Sequence, residues 1–524
     1  MSEHSVADLD SDPAVVRSLR SGFFGVAAPS YQLTRFVFLR ALGFVYTVAF
    51  AVLWNQMLPL FGAHGLTPAN AFLARVREGS SFWDLPTLFY GGASDTTLRL
   101  AAGLGLALSA CVLLGAEHAG VMAVLWVLYL SFVHIGQDWY GYGWEILLIE
   151  TGFLACFLAP VRSILPLTAA RPPAAPVIWL LRWLLFRVMF GAGLIKIRGD
   201  PCWRDLTCLA YHYETQPNPH PLSWLLHQAP LWFHQGGVAF NHLVELVVPF
   251  FVFGPGSKLR HAAGLLVIAF QAILIASGNL SFLNWLTIAV AFACFDDSFW
   301  ARILPARLVQ RAAELEARRE PLGRAQIALL GVLCAFVLIA SYAPVANMLS
   351  RRQRMNTSFD PLHLVNSYGA FGSVGKTRDE VILEGTTDAV PGAAAHWKAY
   401  EFKCKPGDVT RRPCLITPYH LRLDWQMWFA ALSDYENEPW IVHLIYKLLA
   451  NDAATLDLLA NRPFPRAPPR FIRAERYRYR FTRLGDGNRA WWTRERLGAY
   501  LPPLARNDPS MREFLELHGW LSPR

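Results

Sequence analysis

Charge is what this sequence has least of. Only 17% of its 524 residues are Asp, Glu, Lys or Arg, where a soluble chain carries about a quarter. The shortage falls before about residue 345. No zinc-finger spacing, RNA-binding signature or basic-aromatic strip occurs, so the net charge of +9 does not point to nucleic acid. The Arg residues cluster between apolar runs, which is how membrane topology is signalled. A cleavable leader is also missing. Residues 1–30 are polar and include Glu3, Asp8, Asp10 and Asp12, with no small-residue cleavage site after a short apolar core. There is no CxxC, no GxSxG and no HExxH, so redox, α/β-hydrolase and zincin signatures are absent. No metal site and no particular cofactor is implied. GLGLAL at 103–108 lies inside an apolar run, where small residues serve helix packing rather than nucleotide binding.

What is present is a series of long apolar runs. A spanning helix needs about 20 such residues. Candidates lie near 32–54, 97–116, 119–136, 144–160, 177–197, 238–254, 260–277, 280–296 and 323–343, about nine spans by that rule. The predicted fold is therefore a polytopic α-helical membrane bundle followed by a small β-rich or α+β soluble domain. Its parts are a polar segment (1–30), a transmembrane domain (31–345) with a long loop near 198–237, and a soluble domain (350–524). In the last, FIRAERYRYRFT (471–482) alternates like a strand with one slip near Arg476. Val381–Leu383 and Trp397–Phe402 read as strands, and Pro439–Ala450 and Ala453–Ala460 as helices. The segment holding Arg302, Arg307, Arg311, Arg318, Arg319 and Arg324 predicts a cytoplasmic side. The long loop and the soluble domain then face outward.

Ionisable groups inside spans are costly, and they mark either bundle-holding pairs or a polar cavity. Here they are Glu145, Glu150, Arg182, Arg187, Lys196 and Glu245, with Asn279 and Asn284 near a span boundary. Glu145 and Glu150 lie about 140° apart in helical projection and need not share a face. Glu150 or Glu245 is expected to pair with Arg182 or Arg187. The outward loop is rich in His and aromatics, among them His212, Glu214, His220, His227 and His234. Trp224, Trp232 and Phe233 suit an interfacial belt. Cys202 with Cys208, and Cys404 with Cys414, can each bridge if their side of the membrane is oxidising.

Several blocks carry a family likeness. LFRVMFGAGLIKIRGDPCWRDLTCLAYHYETQPNPHPLSW (185–224), GQDWYGYGWEILLIETGFLACFLAP (136–160), VNSYGAFGSVGKTRDEVILEGT (365–386) and PYHLRLDWQMWFAAL (418–432) resemble the lipase maturation factor family, in the same order. The resemblance implies a membrane protein that assists folding of an exported lipase client. In animal members the membrane is that of the endoplasmic reticulum, with the C-terminal domain in the lumen. On this basis Arg422, Asp424, Trp425, Gln426 and Trp428 are candidate client contacts, or else packing residues of one helix. The Cys404–Cys414 pair is not a family hallmark, so the resemblance implies no bridge there. The Arg- and Ala-rich style suggests a bacterial source and its inner membrane. GAGLIKI (191–197) also distantly resembles vitamin K-dependent carboxylase. That alternative implies a membrane enzyme acting on a lipid, quinone or peptide, with Lys196 as base and His212, Glu214 and Glu150 in support. A desolvated Lys suits that role; an interfacial Lys that snorkels is the plainer reading.

Overall fold

The computed structural model describes residues 29–521 except 170, 255 and 488. Nearly all of the polar segment 1–30 lies outside them. The first helix, α1 (Gln32–Phe61), is followed by α2 (Asp95–Leu114), α3 (Ala119–Ile135), α4 (Gly143–Leu158) and α5 (Ala175–Arg198). Beyond the long loop come α6 (Leu231–His242), α7 (Ser257–Ser277), α8 (Leu283–Ala291) and α9 (Arg324–Ala340), which runs on into Tyr342–Leu349.

Among the described residues five helices are long and apolar enough to cross a membrane: α1, α2, α5, α7 and α9 with its extension. The expected nine spans are thus not confirmed. The shortfall has a physical cause. Helix α4 has 16 residues and α8 only nine, about 24 and 14 Å of rise, against a hydrocarbon core of about 30 Å. Both are buried, so their apolar character reflects the bundle interior as much as lipid. The run near 238–254 is broken: α6 passes into a π-helical turn, Leu243–Val247, and then a short helix, Val248–Phe251.

Helix ends follow local chemistry. Ser94 caps α2 by accepting from the Thr97 amide at 3.1 Å, and Gly115 ends it at φ +132°. At one end of the bundle Asp297 gathers the start of α1, accepting from Ser30 Oγ at 2.7 Å and from the Gln32 and Leu33 amides at 2.9 and 2.8 Å. The start of α1 and the beginning of the Arg-rich segment therefore lie at the same end.

At the other end sits the C-terminal domain, built on a four-stranded antiparallel sheet of order β2-β1-β3-β4. The strands are β1 (Arg378–Thr386), β2 (Lys398–Ala399), β3 (Phe471–Phe481) and β4 (Trp492–Ala505). The slip read near Arg476 is a register shift between Arg476 and Tyr477. Helices α10 (Arg422–Leu432) and α11 (Trp440–Leu449) complete it. The expected helix at 453–460 is one turn, Ala453–Leu456.

The boundary near 350 is not a flexible linker. Residues 350–377 form a strap with little regular structure laid over the bundle. Asp200 N donates to Gly372 O at 2.9 Å, and Trp203 Nε1 to Phe371 O at 2.8 Å.

Candidate functional site

The run GAGLIK near the end of α5 builds the site. Gly191 lets the strap approach: a Cβ there would lie 2.5 Å from Tyr368 O. Gly193 admits the π-helical turn, where a Cβ would lie 2.7 Å from Leu246 Cδ2. That turn aims Glu245 back at α5. Lys196 Nζ donates to Glu245 Oε1 and Oε2 at 2.5 and 2.6 Å and reaches Asn241 Oδ1 at 3.4 Å. Asn241, one helical turn before Glu245, donates to Glu245 Oε2 at 2.9 Å. All three side chains are buried.

The Lys196–Glu245 pair lines a cavity of about 450 Å³. Its walls come from α5, α7 and α8, and Trp144, Trp425 and Trp428 roof it. His212, from the long loop, is a wall residue. Burial first, and then the Lys196 ammonium, push its imidazole down to about 4, so it is neutral near pH 7. Among the described residues no group of three metal-donor side chains gathers.

Of the four residues expected to act together, the structure joins Lys196 and His212 at this cavity and places the other two elsewhere. Glu150 is bound by Arg187, by Tyr368 Oη at 2.8 Å and by the Asn366 amide and Nδ2 at 3.1 and 3.0 Å. Glu214 accepts from the Phe481 amide at 2.6 Å beside a second, open cavity near His227 and Arg480. The expected Glu150–Arg187 pairing is present, but Glu245 takes Lys196 rather than an Arg. Arg182 instead donates to Ala293 O at 2.8 Å and Tyr31 Oη at 2.9 Å. Asn284 donates to Gln271 Oε1 at 2.7 Å, and Asn279 to Cys414 O at 2.9 Å.

The motif RLDWQMW is turned inward. Arg422 pairs with Glu145 at 2.9 Å. Asp424 accepts from the Cys404 and Lys405 amides at 2.5 and 3.0 Å, and its carboxyl is raised by burial. Gln426 donates to Asp138 O at 2.6 Å, and half-buried Trp428 to Thr215 O at 3.0 Å. Trp425 is 4% exposed. Arg422 and Gln426 hold the C-terminal domain on the bundle, Asp424 braces that domain internally, and Arg422, Asp424, Trp425 and Gln426 are all buried.

Sequence reasoning missed Asn241, Gln271 and Tyr368. The first was within reach, being four residues before Glu245 in NHLVEL. Both cysteine pairs, Cys202–Cys208 and Cys404–Cys414, are bridged, including the one the resemblance did not imply.

Two family models match in order: the lipase maturation factor transmembrane domain over residues 33–302 and the lipase maturation factor C-terminal domain over 364–502. The chain belongs to the lipase maturation factor family. It is 48% identical to "Lipase maturation factor 1" of Bos taurus over 98% of this chain and 96% of that protein. It is 47% identical to the Homo sapiens protein of that name, over 99% and 96%. "Lipase maturation factor 2" of Rattus norvegicus is 30% identical over 94% and 86%. No solved structure matches. These family relatives are animal proteins, which contradicts the bacterial source suggested by composition and leaves the inner membrane without support. The carboxylase-like enzyme reading gains no support from them. Although Lys196 does line a cavity, its ammonium is committed to Glu245.

Proposed function

We propose that this chain is a membrane-embedded factor for the maturation of an exported lipase, with its soluble domain on the non-cytoplasmic side. The observation that carries the reading is the collinear match, across 98% of the chain, to proteins named for lipase maturation. Two features of the fold support it. The bundle and the C-terminal domain share a buried ion pair and several hydrogen bonds, so the two parts are packed together. Both bridged cysteine pairs sit at the soluble-domain end, as suits an oxidising compartment such as the lumen of the endoplasmic reticulum. Client contact then falls to exposed groups of that end rather than to Arg422–Gln426.

The test is complementation. Cells lacking their own lipase maturation factor 1 receive this chain and a secreted lipase, and released lipase activity is measured against lipase mass. Recovery of specific activity is the expected result. Normal accumulation of the chain with no recovery overturns the reading.

A further inference from the structure

The cavity roofed by Trp425 and Trp428 has two unlike ends. Lys196, Glu245, Asn241 and His212 make one. Met189 lies seven residues back along α5, about 10 Å along its axis, and with Val188 and Phe270 makes an apolar end. The amides near that end are partly satisfied: Asn284 Nδ2 donates to Gln271 Oε1 at 2.7 Å, and Gln271 Nε2 to Met189 Sδ at 3.6 Å, while Asn284 Oδ1 has no partner among the described residues. The site thus carries charge at one end and is mostly apolar, with two amides, at the other, and its volume of about 450 Å³ suits a small molecule.

Charge at the polar end is already balanced. The Lys196 ammonium is held by both Glu245 oxygens, so a ligand with a net charge would be buried without a counter-ion, at high cost. What remains open on the wall is His212, together with the buried Trp425 Nε1, Tyr142 Oη and Asn284 Oδ1, which have no hydrogen-bond partner among the described residues. His212 is 9% exposed, and its ring makes contacts with Phe371 and Tyr213 but no hydrogen bond among the described residues. A neutral imidazole offers one donor and one acceptor. Buried polar groups are almost always bonded, so the unpartnered Trp425 Nε1 and Tyr142 Oη, beside an imidazole that makes no hydrogen bond, point to a partner supplied from outside.

We propose that this cavity binds a neutral single-chain lipid of the monoacylglycerol kind, its hydroxyl or ester head on His212 and its acyl chain along Val188, Met189 and Phe270. The inference goes beyond lipase maturation and does not depend on it.

The test uses the full chain in phosphatidylcholine nanodiscs with a diazirine-bearing 1-lauroylglycerol, followed by mass spectrometry of the labelled peptides. Saturable labelling of the α5 segment around Val188–Ile195 is expected, displaced by unlabelled 1-lauroylglycerol and not by laurate. Ala192→Phe, which fills the cavity, abolishes it. His212→Leu weakens it roughly tenfold, the worth of one hydrogen bond. Thermal melts establish that each variant is folded, and Thr287→Trp blocks the same space from α8 should Ala192→Phe not fold. Labelling that is non-saturable, or unchanged in the folded cavity-filling variant, overturns the proposal. Equal displacement by laurate overturns the neutral head, and displacement only by an apolar peptide overturns the lipid. Released lipase activity is a separate readout, so either idea can fail alone.

Discussion

Arg422 of α10 and Glu145 of α4 form an ion pair at 2.9 Å, with both side chains fully buried. Around it, Trp144 Nε1 donates to Glu145 Oε1 at 2.9 Å, Tyr129 Oη donates to Glu145 Oε2, and the guanidinium lies 3.4 Å from the Tyr140 ring centroid. Gln56 of α1 adds a clamp, accepting from the Arg422 amide at 3.0 Å and donating to His420 O at 2.7 Å. One ion pair thus joins the soluble domain to the membrane bundle.

Removing one member strands the other in a dry interior, at a cost of about 3–5 kcal/mol. Arg422→Met should therefore lower the thermal midpoint sharply and expose the soluble domain to limited proteolysis. The double variant Arg422→Met with Glu145→Leu should recover a substantial part of that loss. A double variant no better than the single would show that the pair does not act as a unit.

The strap depends on Glu150. Tyr368→Phe deletes a hydrogen bond to the Glu150 carboxylate and the weaker one accepted from Asn366 Nδ2 at 3.3 Å, and should cost about 1.5–3 kcal/mol. Asn366→Ala deletes the side-chain bond to the same oxygen and a bond to His363 O at 2.9 Å, and should cost more. Denaturant midpoints of the two variants rank them.

Lys196 holds a carboxylate, and that predicts a particular pattern. Lys196→Met alone should reduce both protein abundance and released lipase activity, because Glu245 is left buried without its cation. Lys196→Met with Glu245→Leu should restore abundance. If lipase activity per molecule returns with it, Lys196 has no chemical role. If abundance returns and activity does not, the ammonium itself is needed.

Acid should weaken the fold through its buried histidines, His212 and His443 among them. Burial pushes both His212 and His443 down to about 4. His443 Nδ1 lies 2.6 Å from Leu66 O, tying α11 to the loop after α1. Between about pH 6.5 and 4 the unfolded chain takes up protons that the folded one refuses, so stability falls as pH drops through 6.5 and levels off near 4. The thermal midpoint should be lower at pH 5 than at 7.5, and His443→Gln should flatten that slope. A midpoint that rises on acidification contradicts the assignment.

Much of the architecture was written in local pattern. The apolar runs that became α1, α2, α5 and α7 are long enough to be read by length alone. The alternation in FIRAERYRYRF gave β3, including its irregularity at Arg476. Span count was less legible, because α4 and α8 are apolar on all sides for being central, and composition does not separate protein neighbours from lipid. For RLDWQMW the packing alternative was legible and agrees with the buried helix, but the partners of its charged groups were not. Arg422 and Asp424 look like surface groups until Glu145 and the Cys404 and Lys405 amides, distant in sequence, are brought against them. The Lys196–Glu245 pair was invisible because its geometry depends on a turn that no periodicity announces.

That turn, Leu243–Val247, winds one residue wider than the helix on either side. Deleting a single residue there would let the segment close up as ordinary helix, and the residues inside the turn would lose the aim that the extra residue gives them, at about 100° per position. Glu245 could not face Lys196 while His242 kept its place against Trp203 O, 3.0 Å away. Point substitutions in this stretch should therefore be borne far better than changes of length, so a family comparison should find its spacing kept even where its side chains drift.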